Sequence, residues 1–164
     1  MLGAYTGARA NEICQLYADD VQCIDGIWCL NIRSNRPDQK LKTENSARLV
    51  PIHSDVLAEG FLEFVEGRIG LRLFAELSLV MGYYSHGWGK WFNRNRPTDK
   101  DFHSLRHTVG TELKSAGVPI QYTAAILGHE TGGISYDRYG GSVAINNLKE
   151  TLEQVLSLFT HNEK

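Results

Sequence analysis

Between Val21 and Ile52 the apolar residues of this chain fall into three short β-favouring runs, and elsewhere they recur at helical spacing. Few architectures accept that pattern. The runs are residues 21–24, 28–32 and 48–52, and Asp25-Gly26 between the first two is a strong hairpin signal, because a two-residue turn needs positive φ at its centre. They imply a small antiparallel sheet whose second and third strands are joined by the polar, basic stretch 34–47. Ser54 reads as a helix N-cap. Helices are expected over 10–16, 55–67, 87–95, 104–116, 120–127, a short one near 135–139, and 144–159. Gly117 followed by Val118-Pro119 marks a stop and restart between two of them. The fold class is mainly α with a small three-stranded antiparallel β-sheet (α+β). At 164 residues the chain fits one domain, residues 1–164, which buries roughly two-thirds of its unfolded surface.

Composition excludes several classes. Cys14, Cys23 and Cys29 are odd in number and lack CxxC spacing, so neither a disulfide framework nor a zinc site is implied, and no metal is expected. No apolar run approaches the roughly 20 residues of a membrane span, and no charged-then-apolar leader follows Met1, so the expectation is a cytoplasmic protein without membrane contact. A net charge of −2 argues against a uniformly basic nucleic-acid footprint. Two local surpluses break the average. Residues 33–48 hold Arg33, Arg36, Lys40, Lys42 and Arg48 against Asp38 and Glu44, and residues 90–107 hold Lys90, Arg94, Arg96, Lys100 and Arg106 against Asp99 and Asp101. Such islands suit a local phosphate site, although charge runs are commonly solvated faces.

Four short motifs carry chemistry. In His103-Ser104-Leu105-Arg106-His107, helical spacing puts His103, Arg106 and His107 on one face. An imidazole and a guanidinium then address one point, and the planar fork of arginine matches a phosphate with two parallel hydrogen bonds. Leu127-Gly128-His129 ends a helix, and Tyr139 follows ten residues after that histidine. Thr6-Gly7-Ala8-Arg9 opens the first helix with Glu12 three residues on. A fourth stretch, from Lys42 to Pro51, leads a lysine back into the third strand. Each has an ordinary explanation alone: a surface arginine, a helix cap, an intrahelical ion pair, a packing tyrosine.

The ordered set is more specific than its parts. TGAR followed by E, then a lysine in a strand-connecting turn, HSLRHT, LGH and a tyrosine resembles the phage-integrase family of tyrosine recombinases over nearly the whole chain. The resemblance implies the catalytic-domain fold of that family and a site-specific recombinase of a mobile element, bacterial or phage-encoded. By it, Arg9 and Arg106 clamp the non-bridging oxygens of the scissile phosphate, His103 contacts the same phosphate and assists proton movement, and His129 donates a further hydrogen bond. Lys42, or Lys40 nearby, protonates the departing 5′ oxygen. Tyr139 attacks to give a 3′-phosphotyrosine, while Glu12 and His107 support the site without touching the substrate. Arg33, Arg36, Lys40, Arg48, Lys90, Arg94 and Arg96 are candidate DNA contacts. No cofactor is implied.

Two departures bear on these expectations. The family commonly places its tyrosine nine residues after the LGH histidine, whereas Tyr139 is ten after and Tyr136 seven after; one extra residue at Gly132-Gly133 favours Tyr139. The chain also begins close to TGAR, so an N-terminal DNA-binding domain and the start of the catalytic domain are expected outside it. The partners implied are double-stranded attachment-site DNA, further copies of the chain (dimer to tetramer on DNA) and DNA-bending accessory proteins. The apolar stripe of 144–159 either covers its own core or docks on a neighbouring copy. Two rivals remain: a DNA-binding module without chemistry, turning at Gly117-Val118-Pro119, and a type IB topoisomerase.

Overall fold

The computed structural model describes residues 1–43, 46–96, 98–129 and 143–156. Helices α1 (Leu2–Thr6) and α2 (Ala10–Cys14) lead into strands β1 (Val21–Ile24), β2 (Ile27–Ile32) and β3 (Arg48–Pro51), which form an antiparallel sheet in that order. Ile24 pairs with Ile27, so the turn is Asp25-Gly26 alone, and both residues take positive φ, 51° and 80°. The hairpin signal was therefore read at the correct residues. Helices α3 (Ser54–Ala58), α4 (Phe61–Glu66), α5 (Ser85–Asn95), α6 (His103–Ser115), α7 (Ile120–Leu127) and α8 (Ile145–Val155) complete the described chain.

Four local expectations are corrected. A single helix over 55–67 is two, because Gly60 takes φ 80° and ends the first. The cap at their start is His53, whose Nδ1 accepts from the Asp55 backbone N–H; Ser54 is the first helical residue and binds Glu153 instead. The first expected helix stops at Cys14, and it is preceded by α1, whose five residues are too short for a periodicity argument. The helix expected near 135–139 lies outside the described residues.

The core is one cluster joining the sheet to the helices. Leu30, Ile32, Val50 and Ile52 from the sheet meet Val109 and Leu113 of α6, Ile126 and Leu127 of α7, and Leu148 and Leu152 of α8. Helix α6 packs between α1 and α7, while α7 and α8 lie against β3. This arrangement sets the ends of α1, α6 and α7 side by side. Leu148, Leu152 and Leu156 of the expected 144–159 stripe are almost wholly buried against the chain's own core, Ile145 and Val155 are half-buried, and Phe159 lies outside the described residues. Lys149 Nζ reinforces this packing by donating to the Ile52 carbonyl at 2.7 Å. Among the described residues no helix is long and apolar enough to cross a membrane.

Candidate active site

Arg9 caps α2 with extended backbone, and Glu12 at the third helical position reaches back so that its Oε2 accepts from the Arg9 backbone N–H at 2.8 Å. The Arg-x-x-Glu spacing is thus a helix start as well as an ion pair. Glu12 Oε1 accepts from Arg9 Nη1 at 2.7 Å and Oε2 from Arg48 Nη2 at 2.9 Å. Burial alone would raise the Glu12 carboxyl above its ordinary value, but the Arg48 charge and the hydrogen bonds from Arg48 and Arg9 outweigh it and hold the group ionised below that value. Among the described residues Glu12 makes no hydrogen bond to a histidine, and it acts on His129 through its charge.

Arg106 is gripped by the ends of two other elements. Its Nη1 donates to the Gly7 carbonyl at 2.8 Å, and its Nη2 donates to the Leu127 carbonyl and to His129 Nε2, the latter at 2.7 Å. The TGAR, HSLRH and LGH motifs therefore close around one guanidinium. Both carbonyl acceptors sit at left-handed glycines: Gly7 ends α1 at φ 60° and Gly128 ends α7 at φ 68°. Arginine has no acceptor, so His129 Nε2 must accept, which puts the neutral ring's proton on Nδ1. Any hydrogen bond His129 gives a ligand from this pose comes from Nδ1. Three of the five Arg106 N–H donors are taken among the described residues.

Among the described residues the charges do not balance: Arg9, Arg48 and Arg106 gather around one carboxylate, Glu12, and burial, then the charges of Arg9 and Arg48, pull the Arg106 pKa down to about 10. The same causes lower His129, burial first and then the three arginines. His103 is lowered too, by burial, by His107 and by Arg106. A site where cations depress one another is one that favours an anion.

Other expected residues sort by position. His103 and His107 stand exposed on α6 in an edge-to-face contact at 4.8 Å, whereas Arg106 turns inward at 5% exposure, so the expected common face divides. Lys40, Lys42 and Arg9 line one cleft of about 300 Å³. Both lysines are exposed, and Lys40 Nζ lies 5.5 Å from the Tyr83 ring centroid. Arg33 pairs with Asp20 at 2.6 Å and Arg36 with Asp19 at 2.6 Å, so the basic stretch is partly neutralised by the turn before β1. Arg48 is an interior strut: Nε donates to Ile126 O, Nη1 to Ser46 O and Nη2 to Glu12, at 6% side-chain exposure. Arg48 makes all three of these bonds to groups of the protein itself. Its two-residue alternation with buried Val50 and Ile52 was the available signal. Lys90 and Arg94 are exposed on α5, and Arg96 is half-buried just beyond it. Tyr136 and Tyr139 lie outside the described residues. Among the described residues no three His, Cys, Asp or Glu side chains are grouped to hold a metal.

Residues 1–142 match the phage integrase family. The chain belongs to that family. Its members are the tyrosine recombinases, which break and rejoin DNA. A solved structure, the Tn1549 transposon integrase in complex with transposon right end DNA, is similar with a TM-score of 0.48 and 18% sequence identity, over 94% of this chain and 56% of that one. The chain thus spans little more than half the length of that integrase chain. No curated protein matches.

Proposed function

We propose that this integrase-family chain carries the cleavage and rejoining site of a site-specific DNA recombinase, with Tyr139 as nucleophile. The observation that carries the reading is the unbalanced cationic cluster, in which Arg9 and Arg106, 97 residues apart in sequence, bracket one spot with His129 beside them. Arg9 and Arg106 neutralise the scissile phosphate and the additional charge of its five-coordinate transition state. Loss of one such donor typically lowers the rate roughly 10²–10³-fold. Glu12 and Arg48 hold Arg9 and the end of α7 in place without touching DNA. His129 gives the phosphate a hydrogen bond through Nδ1, and His103, at the exposed start of α6, assists the proton leaving Tyr139.

The phenol of a free tyrosine ionises near pH 10, so nucleophilic attack at neutral pH needs the neighbouring cations to favour phenolate. The tyrosine oxygen bonds to phosphorus, the bond from phosphorus to the 5′ oxygen breaks, and that oxygen takes a proton from Lys42. Lys42 suits this better than Lys40, whose ammonium sits by the Tyr83 ring. A 5′ hydroxyl from a second duplex reverses the step and completes exchange. Lys90, Arg94 and Arg96 flank the site as contacts to the DNA backbone, and two to four copies assemble on the attachment DNA. The test incubates the full-length protein with nicked, end-labelled DNA from the junctions of the element that encodes it. A denaturant-resistant protein–DNA adduct is expected, abolished by Tyr139→Phe and retained by Tyr136→Phe. An adduct lost only with Tyr136→Phe moves the nucleophile, and no adduct from the parent overturns the reading.

A further inference from the structure

The segment between β2 and β3 carries the lysines and has little regular structure, so its position is decided by what its polar groups grip. Asp38 grips two phenols. Its Oδ2 accepts from Tyr17 Oη at 2.7 Å and from Tyr84 Oη at 2.7 Å. Tyr17 belongs to the turn before β1 and Tyr84 caps α5, so one carboxylate oxygen ties the segment to two separate parts of the fold. Each phenol is covered by a cation: Arg36 lies 4.0 Å from the Tyr17 ring centroid and Arg72 3.7 Å from that of Tyr84. Burial would raise the Asp38 carboxyl, but the hydrogen bonds from Tyr84 and Tyr17 outweigh it and keep the group ionised below its ordinary range. Burial and the Asp38 hydrogen bond push Tyr17 up to about 12, so it stays a donor.

The next two residues are anchored as well. Gln39 Nε2 donates to Asp20 Oδ2 at 2.9 Å, and the Lys40 backbone N–H donates to Gln15 Oε1 at 2.9 Å. Lys42 follows two residues later at the cleft wall it shares with Arg9. Asp38 stands four residues before Lys42, at most about 14 Å of chain, so its clamp together with the bonds at Gln39 and Lys40 bounds the region in which Lys42 can act. Phenol–carboxylate hydrogen bonds demand distance and angle together, whereas a surface ion pair leaves a long side chain free to swing.

We propose that Asp38, clamped by Tyr17 and Tyr84, is a positioning residue that sets where Lys42 delivers its proton to the departing 5′ oxygen. The inference rests on the reading of Lys42 as that acid. Its test replaces the bridging 5′ oxygen of the mapped cleavage site with sulfur, because a thiolate leaves without a proton donor. Asp38→Ala should slow single-turnover cleavage of the ordinary duplex by roughly tenfold or more, short of the about 10²–10⁴-fold that outright loss of a general acid costs. On the sulfur-bridged duplex the same variant should cleave at close to the parental rate. Lys42→Ala should give the same pattern with a larger defect, and Asp38→Ala should add nothing in the Lys42→Ala background. Tyr17→Phe with Tyr84→Phe should reproduce Asp38→Ala, and this pair decides the matter if Asp38→Ala does not fold. Parental cleavage of the ordinary duplex, or a defect that persists with sulfur, overturns the role of Asp38. If Lys42→Ala is not rescued by sulfur, the lysine is not the acid and both readings fall together.

Discussion

Glu12 is the residue on which the cluster's stability turns, because among the described residues it is the single carboxylate between Arg9 and Arg48, and it is 3% exposed. Removing one member of a buried ion pair leaves the other charged in a poor solvent, which typically costs about 3–5 kcal/mol. Arg48 would be the stranded partner, since its remaining bonds are to neutral carbonyls. Glu12→Gln keeps the shape and removes the charge, so chemical denaturation should report a loss of about 3 kcal/mol. Combining it with Arg48→Met should cost less than the two changes summed, as directly coupled sites do. A loss well under 1 kcal/mol for Glu12→Gln would mean that water or another group already serves Arg48.

At the scale of elements, the turns and helix ends do the positioning, and two glycines separate local geometry from site assembly. Gly26 and Gly128 both take left-handed backbone, at φ 80° and 68°. A Cβ at Gly26 meets nothing within 4 Å, so Gly26→Ala should cost only the conformational strain of about 1–2 kcal/mol and leave cleavage unchanged. A Cβ at Gly128 would stand 2.7 Å from Arg48 Nη1, so Gly128→Ala adds displacement of that strut, beside the Leu127 carbonyl that holds Arg106. Thermal melting alongside adduct formation distinguishes them, and equal effects on both readouts would remove the special role of Gly128. The same contrast explains what was legible in the sequence. Asp25-Gly26 and Gly117-Val118-Pro119 act through φ alone and could be read directly; the break at Gly60 could not, because the apolar spacing runs on past it. Arg9, Arg106 and His129 were legible as motif members, but backbone carbonyls from α1 and α7 fix Arg106, and no side-chain pattern encodes those contacts. Asp38 was invisible because its partners lie 21 and 46 residues away.

Across the whole molecule, a net charge of −2 coexists with a site in which, among the described residues, three guanidiniums face one carboxylate, and that opposition gives pH and anions contrary effects. Burial and the arginines hold His129 below the ordinary imidazole value of about 6.5, and burial does the same to His103. A group whose folded value is depressed adds stability above its unfolded value and loses it as pH falls. The protein without DNA should therefore lose stability first as pH drops below about 6.5, then again near and below about 4 as Glu12 and Asp38, also depressed, take up protons. A bound phosphate reverses the first of these, because its negative charge lies where the arginines repel the imidazolium. His129 should then titrate higher in a complex with DNA than alone, and by linkage DNA should bind more tightly as pH falls through the range between the two values. Side-chain NMR of His129 with and without a short duplex reads the shift, and a titration midpoint in the free protein at or above the ordinary value would show that the cationic surplus does not reach the imidazole.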